Sequence, residues 1–162
     1  MKDARFEETA PAERPLRLKA ESEEDLAVVS SLAQDAVGKV ADIRWAKGKQ
    51  RLVMVLNRFR WEDKPAADEA KRPYERVQAA LTVDCATRVR AAGIEPGATD
   101  TVVSVLSLGF EPGGDGDCGG TLTVTFAGGA ALAVEVEALD VSLADITRPW
   151  TAQAGRAPDH GV

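Results

Sequence analysis

The sequence predicts an α+β fold in which a bent antiparallel sheet, or a small split barrel, of about seven strands packs against an early helix over residues 22–37. Three observations predict it. Apolar residues recur at helical spacing only near the start, they mostly alternate with polar residues after position 40, and Gly- or Pro-containing turns separate the alternating runs. A short helix is expected at the C-terminal end. The runner-up is a two-layer sandwich of helix and open sheet.

The first predicted elements are a short strand and the early helix. In LRLKA, residues 16–20, apolar and basic residues alternate, as they do in a strand. Ser22 is expected to cap the helix, because acids fill the first turn, where the helix dipole favours negative charge. Gly38 is expected to end it. The helical apolar positions are Leu26, Val29, Ala33 and Ala36.

A β-hairpin is predicted over residues 40–59. VADIRWA (40–46) and RLVMVLNRF (51–59) are its strands, and KGKQ (47–50) is its turn. The second strand is apolar on both faces at its middle, which indicates a central strand. Residues 61–75 are charged and bounded by prolines, and they are expected to form a mobile loop.

The remaining strands are predicted at 76–84, 87–94, 101–110, 121–127 and 132–138. The last two form a hairpin around Gly128 and Gly129. Residues 142–150 are interpreted as a short helical turn that Pro149 stops. The inward-facing residues of the late hairpin are expected to be Leu122, Val124, Phe126, Leu132, Val134 and Val136.

The length of 162 residues favours one domain, placed at 16–150, with a flexible arm over 1–15 and a flexible tail over 151–162. No apolar run approaches the roughly 20 residues of a membrane helix. The first residues lack the apolar core of a secretory signal, so we expect a cytoplasmic protein. Cys85 and Cys118 are expected to be free thiols, and Cys85 to be a buried structural residue.

The glycine-rich stretch EPGGDGDCGG, residues 111–120, partly matches three binding motifs. A dinucleotide or phosphate loop would need a following helix or a lysine, but a strand follows and Gly120 holds the lysine position. A calcium loop starting at Asp115 would need a glutamate where Phe126 lies. We therefore interpret the stretch as a hairpin loop and predict no metal site and no cofactor.

The only histidine, His160, lies in the predicted tail, which excludes most histidine-based catalysis inside the fold. Carboxylate-based acid and base chemistry remains open, although no pair of acids stands out. An enzyme is therefore the less favoured hypothesis, and no catalytic residue is assigned.

The charge is strongly polarised along the chain. Residues 39–60 contain seven basic residues and one acid, whereas 99–147 contain eight acids and no Lys or Arg. A surface with regions of opposite sign suits a binding partner of opposite charge. Because the whole chain has a pI near 4.9, a protein or a small anionic ligand is favoured over duplex nucleic acid. The candidate binding residues are Arg44, Lys47, Lys49, Arg58 and Arg60, with the first three expected to cluster.

Five segments together resemble a known family. They are DIRW (42–45), LNRFRWE (56–62), YERV (74–77), TFAGGAALAVEVEALD (125–140) and RPW (148–150). The chain resembles, over about residues 15–150, a family of small alphaproteobacterial proteins described as a domain of unknown function. The resemblance implies source and class, and it implies no catalytic residues.

Seven strands ending in a short helix would suit a pleckstrin-homology-like split barrel, in which the basic turn AKGKQR belongs to the first hairpin after the helix. Similarity of fold does not carry function. The sequence therefore predicts a non-enzymatic binding or interaction module with a charge-polarised surface. The alternative is a small-molecule enzyme that uses carboxylates.

Overall fold

The computed structural model describes residues 14–95, 97–114 and 116–151. Most of the predicted arm (1–13) and tail (152–162) lies outside the described residues. Within them the protein is a mostly antiparallel sheet of eleven strands with two short helices, so the predicted seven-strand, pleckstrin-homology-like α+β fold is wrong. The strands are β1 Arg17–Ala20, β2 Val37–Lys39, β3 Ile43–Ala46, β4 Arg51–Phe59, β5 Glu75–Val83, β6 Ala86–Ala92, β7 Val102–Pro112, β8 Gly120–Phe126, β9 Ala131–Val136, β10 Val141–Asp145 and β11 Trp150–Thr151.

The strand order across the sheet is β1-β10-β5-β4-β2-β7-β8-β9-β6, with β3 also paired to β4 and β11 to β5. The predicted C-terminal helix is in fact β10 and β11. Val141, Leu143 and Asp145 are the buried, alternating positions of β10. The inward-facing residue Asp145 interrupts the apolar alternation, which is why the sequence pattern did not identify this strand.

The early helix, α1, covers Glu23–Ala33, and the Ser22 hydroxyl accepts the amide proton of Asp25 at 3.2 Å, as predicted. It ends earlier than expected, because Asp35 turns the chain with a φ of 67°. Gly38 therefore lies in β2 and does not cap the helix. A Cβ there would be 2.9 Å from both the Leu56 side chain and the Val55 carbonyl oxygen, so glycine allows β2 to approach β4.

The segment expected to be a mobile loop is helical. A 3₁₀ turn at Trp61–Asp63 continues into α2, Lys64–Ala70, with Pro65 in its first turn. Lys64 and Asp68 form an ion pair of 2.9 Å one helical turn apart. The prolines at 65 and 73 therefore flank a short helix that follows directly from the end of β4.

The late hairpin is confirmed in its strands, its register and its buried face. Leu122 pairs with Val134, and Val124 with Leu132. Phe126 is 1% exposed. The six predicted inward residues belong to one continuous core with the buried face of α1 and the buried rows of β4, β5, β7 and β10. The sheet and the buried face of α1 therefore share a single apolar core.

The predicted first hairpin is confirmed as β3 and β4, with Ile43 opposite Met54 and Ala46 opposite Arg51. The glycine-rich stretch joins β7 to β8, as a hairpin loop should, and the Asp117 side chain accepts the Gly119 amide at 2.8 Å. Cys118 is exposed. Cys85 is only half-buried, because it lies in the β5–β6 turn with a φ of 58°, which corrects its predicted burial.

Candidate functional site

An arginine continues the apolar core row of β4. Leu52, Met54 and Leu56 are buried at alternate positions, and the next residue on that face, Arg58, is 0% exposed. Its neighbour across the sheet is Val77 of β5. The last inward position of β10, Asp145, is also buried. The alternation of the two strands thus places a guanidinium and a carboxylate at the end of the core.

Arg58 uses its full hydrogen-bonding capacity inside the protein. Nε and Nη2 donate to the two Asp145 carboxylate oxygens at 2.9 and 3.0 Å. Nη1 and Nη2 donate to the Glu62 carboxylate at 2.9 and 2.6 Å, and Nη1 also donates to the Phe59 carbonyl at 3.3 Å. A guanidinium has five N–H donors, and these contacts account for all of them. Burial alone would lower the pKa of Arg58, but the hydrogen bonds and charges of Glu62 and Asp145 outweigh it and raise the pKa.

Two further arginines extend this arrangement. Arg60 is 4% exposed and pairs with Glu75, and its guanidinium lies 3.9 Å from Glu62 and 3.8 Å from Asp63. Arg72 donates to both Asp63 oxygens at 2.6 and 2.7 Å. We call these seven residues the ionic cluster: Arg58, Arg60, Glu62, Asp63, Arg72, Glu75 and Asp145.

The arginines alter the titration of two carboxylates in the ionic cluster. Burial alone would raise the pKa of Glu62, but the hydrogen bonds and charge of Arg58 lower it. Hydrogen bonds from Arg72 are the main reason that the pKa of Asp63 is lowered, and the charges of Arg60 and Arg72 act in the same direction. Both groups therefore favour the ionised form in the folded protein.

The aromatic residues around the ionic cluster are part of the fold. The ring of Phe59 is buried, with its centroid 4.7 Å from Trp61 and 5.6 Å from Tyr74, both edge-to-face. The Trp61 indole N–H donates to the Gln34 carbonyl at 3.0 Å, joining the start of α2 to the end of α1. The alternation of Arg with Phe and Trp in RFRWE is thus explained by packing and ion pairing, without a nucleic-acid partner.

A cavity of about 450 Å³ opens beside the ionic cluster, within the roughly 300–1,000 Å³ typical of small-molecule sites. Its wall combines buried and exposed charges: Arg60, Glu75 and Asp145 belong to the ionic cluster, whereas Arg14 and Arg148 are exposed. The other lining residues are Pro15, Thr147 and Pro149. We call it the arginine cavity.

The structure separates the predicted binding residues into two groups. Arg58 and Arg60 lie in the ionic cluster, whereas Arg44, Lys47 and Lys49 are exposed near the opposite end of β4. A strand of nine residues spans roughly 30 Å at about 3.3 Å per residue. The hairpin residues therefore form a separate surface, whose binding role stays a prediction.

Sequence reasoning missed Glu75, Asp145, Thr147 and Arg148. For Asp145 a signal was present, because it follows Val141 and Leu143 at the same period of two. Among the residues that the structure describes, no three His, Cys, Asp or Glu side chains are grouped so as to hold a metal ion. No helix of the described segments is long and apolar enough to cross a membrane.

A family model described as "Protein of unknown function (DUF2948)" matches residues 16–160. The match covers most of the chain, and it confirms the resemblance to a family of unknown function. The alphaproteobacterial source stays a prediction. No curated protein and no solved structure matches the chain.

Proposed function

The chain belongs to the DUF2948 family, and we propose that it is a binding protein that holds a small anionic ligand in the arginine cavity. The observation that carries this proposal is the convergence of Arg14, Arg60 and Arg148 on one cavity of ligand size. A guanidinium presents paired N–H donors that match the oxygens of a carboxylate or phosphate. We therefore infer a ligand that carries one of these groups.

The inner wall of the cavity supports binding because it is held rigid. Arg60 and Asp145 are buried, and their partners come from β5, from the end of β4 and from Leu16, the residue before β1. Asp145 also accepts the Leu16 amide at 2.8 Å, which fixes the chain next to Pro15. A rigid wall lowers the ordering cost that a ligand would otherwise incur on binding.

Arg148 is the proposed anchor for the anionic group. It is exposed, and among the described residues it forms no ion pair. Thr147 fixes the backbone beside it, because its hydroxyl donates to the Arg148 carbonyl and accepts the Gln78 amide, both at 3.1 Å. The guanidinium can therefore turn towards a ligand while its backbone stays in place.

A carboxylate enzyme is less well supported by the same cavity. Glu75 and Asp145 both line it, but Glu75 pairs with Arg60 and Asp145 accepts three hydrogen bonds from Arg58 and Leu16. A general acid or base needs an oxygen within hydrogen-bond reach of the substrate. These internal bonds occupy oxygens that such chemistry would need.

Isothermal titration calorimetry with inorganic phosphate and with succinate tests the proposal. We expect at least one probe to bind, and Arg148→Gln to weaken that binding about tenfold or more, because a charge-assisted hydrogen bond is lost. The matched control is Arg17→Gln, which removes an exposed arginine on β1 and should leave the affinity unchanged. Both variants should keep the melting temperature, since both side chains are exposed.

Failure of both probes to bind, or an equal loss of affinity in both variants, would overturn the assignment of the cavity. If a probe were instead consumed, and Glu75→Gln abolished its consumption, the enzyme hypothesis would replace the binding hypothesis.

A further inference from the structure

The two edges of the sheet differ in length and exposure. β1 has four residues, whereas β6 has seven, of which Thr87, Arg88, Arg90, Ala91 and Ala92 are exposed. Within the described part of the chain, β6 pairs with one strand only, β9. An edge strand presents a row of unpaired backbone N–H and C=O groups to solvent. β6 can therefore accept another strand.

Basic side chains surround this edge. Arg88 and Arg90 lie two residues apart, so they share a face, and each approaches the Glu135 carboxylate of β9 to 3.8 Å. The turn between β3 and β4 adjoins the start of β6, where the Ala86 amide donates to the Gln50 carbonyl at 3.0 Å. That turn carries the exposed Lys47 and Lys49. We call Lys47, Lys49, Arg88 and Arg90 the basic edge.

We propose that the basic edge binds an extended acidic segment of a partner protein, which adds to β6 as a further strand. Arg88 and Arg90 share one acidic partner, Glu135, and Lys47 and Lys49 form no ion pair among the described residues. The basic edge therefore carries an excess of positive charge although the chain as a whole is acidic. Acidic residues at alternate positions of an incoming strand would face Arg88 and Arg90. Backbone hydrogen bonds would supply affinity, and the alternate charges would supply specificity.

The same features disfavour a nucleic acid. Trp45, the aromatic residue of β3 beside the basic turn, is half-buried and packs against the core, which limits its use for stacking on bases. A strand edge also offers alternating backbone donors and acceptors, which a polypeptide matches and a sugar–phosphate chain does not.

Fluorescence anisotropy with a labelled peptide of about eight residues that alternates Glu with Thr tests the proposal. Binding is expected at about 50 mM salt and should weaken steeply at about 500 mM, where charges are screened. Arg88→Glu with Arg90→Glu should reduce the affinity about tenfold or more. Lys47→Glu with Lys49→Glu should reduce it less. Arg17→Glu on the opposite edge is the matched control and should leave it unchanged.

Two further probes identify the mode of binding. A peptide with Pro in place of the Thr residues lacks the backbone donors of those positions and should not bind as a strand, whereas plain charge attraction would keep its affinity. Arg88→Gln with Arg90→Gln, which keeps polar side chains at exposed positions, should retain the melting temperature and lose most of the peptide affinity.

Three outcomes would overturn the proposal. The first is that the peptide does not bind at low salt. The second is that a single-stranded oligonucleotide of similar charge binds more tightly than the peptide, and the third is that the charge variants self-associate without any change in peptide affinity. The last result would show that the cations only protect the edge from aggregation.

Discussion

The two ends of β4 carry the same kind of residue and use it in opposite ways. At the start of the strand, Arg51 is half-exposed and pairs with Asp84 at 2.6 Å. At its end, Arg58 has no exposed side-chain surface and pairs with both Asp145 and Glu62. The strand is regular between them, so the difference comes from what lies across the sheet. One end meets solvent, and the other meets the buried carboxylate of β10.

The comparison shows that Arg58 can be buried in the core because carboxylates accept its hydrogen bonds. Moving a charge out of water costs several kcal/mol unless paired groups replace the lost hydration. Arg58 meets that condition through five hydrogen bonds. Lys47 and Lys49, at the opposite end, remain in solvent.

The largest effect is expected from removing the buried arginine at the end of β4. Arg58→Met leaves Asp145 buried without its main partner and should lower the free energy of unfolding by roughly 3–5 kcal/mol. Arg51→Met, the matched change at the exposed end, should lower the free energy of unfolding far less, because solvent and salt screen an exposed ion pair. Urea denaturation followed by circular dichroism measures both. Similar losses in the two variants would refute the distinction between the two ends.

Adding Asp145→Leu to Arg58→Met sharpens this result. The double variant also removes the buried Asp145 carboxylate, so it should be more stable than Arg58→Met alone, because only the partly exposed Glu62 then lacks its arginine partner. A double variant that is less stable than the single one would mean that packing, and not the buried charge, dominates at this site.

A smaller effect is expected on acidification. Glu62 and Asp63 have lowered pKa values in the folded state. Their stabilisation is therefore complete above the unfolded values of about 4 and is lost as the pH falls through the folded pKa values. Unfolding curves between about pH 6 and pH 2 should show a steeper loss of stability for the wild type than for Glu62→Gln. Superimposable pH profiles would contradict the role of the ionic cluster.

The smallest effect concerns the exposed turn. Lys47→Gln with Lys49→Gln should change the free energy of unfolding by no more than about 0.5 kcal/mol, because both side chains lie in solvent. Thermal unfolding measures this change. A loss above about 1 kcal/mol would show that the turn contributes to stability, and the exposed end of β4 would then resemble the buried one.

The local sequence pattern was sufficient to predict much of the fold. The alternation of Leu122, Val124 and Phe126 predicted a strand, its partner and its buried face, because a period of two on one side of a turn leaves little freedom of register. Ser22 predicted the start of α1 for an equally local reason, a side chain that caps the first amides. The sequence pattern did not predict β10, in which the polar residue Asp145 faces inward, or β2, which has only three residues.

The sequence by itself determined the buried rows of the long strands, the start of the first helix and the polarised charge, because each depends on neighbours a few residues apart. Only the tertiary structure decided the strand order and whether each basic side chain is buried in an ion pair or exposed to solvent. Arg58 and Asp145 are 87 residues apart in the chain, and they meet because β10 is inserted between β1 and β5. Burial and ion pairing depend on such distant contacts, which no local periodicity records.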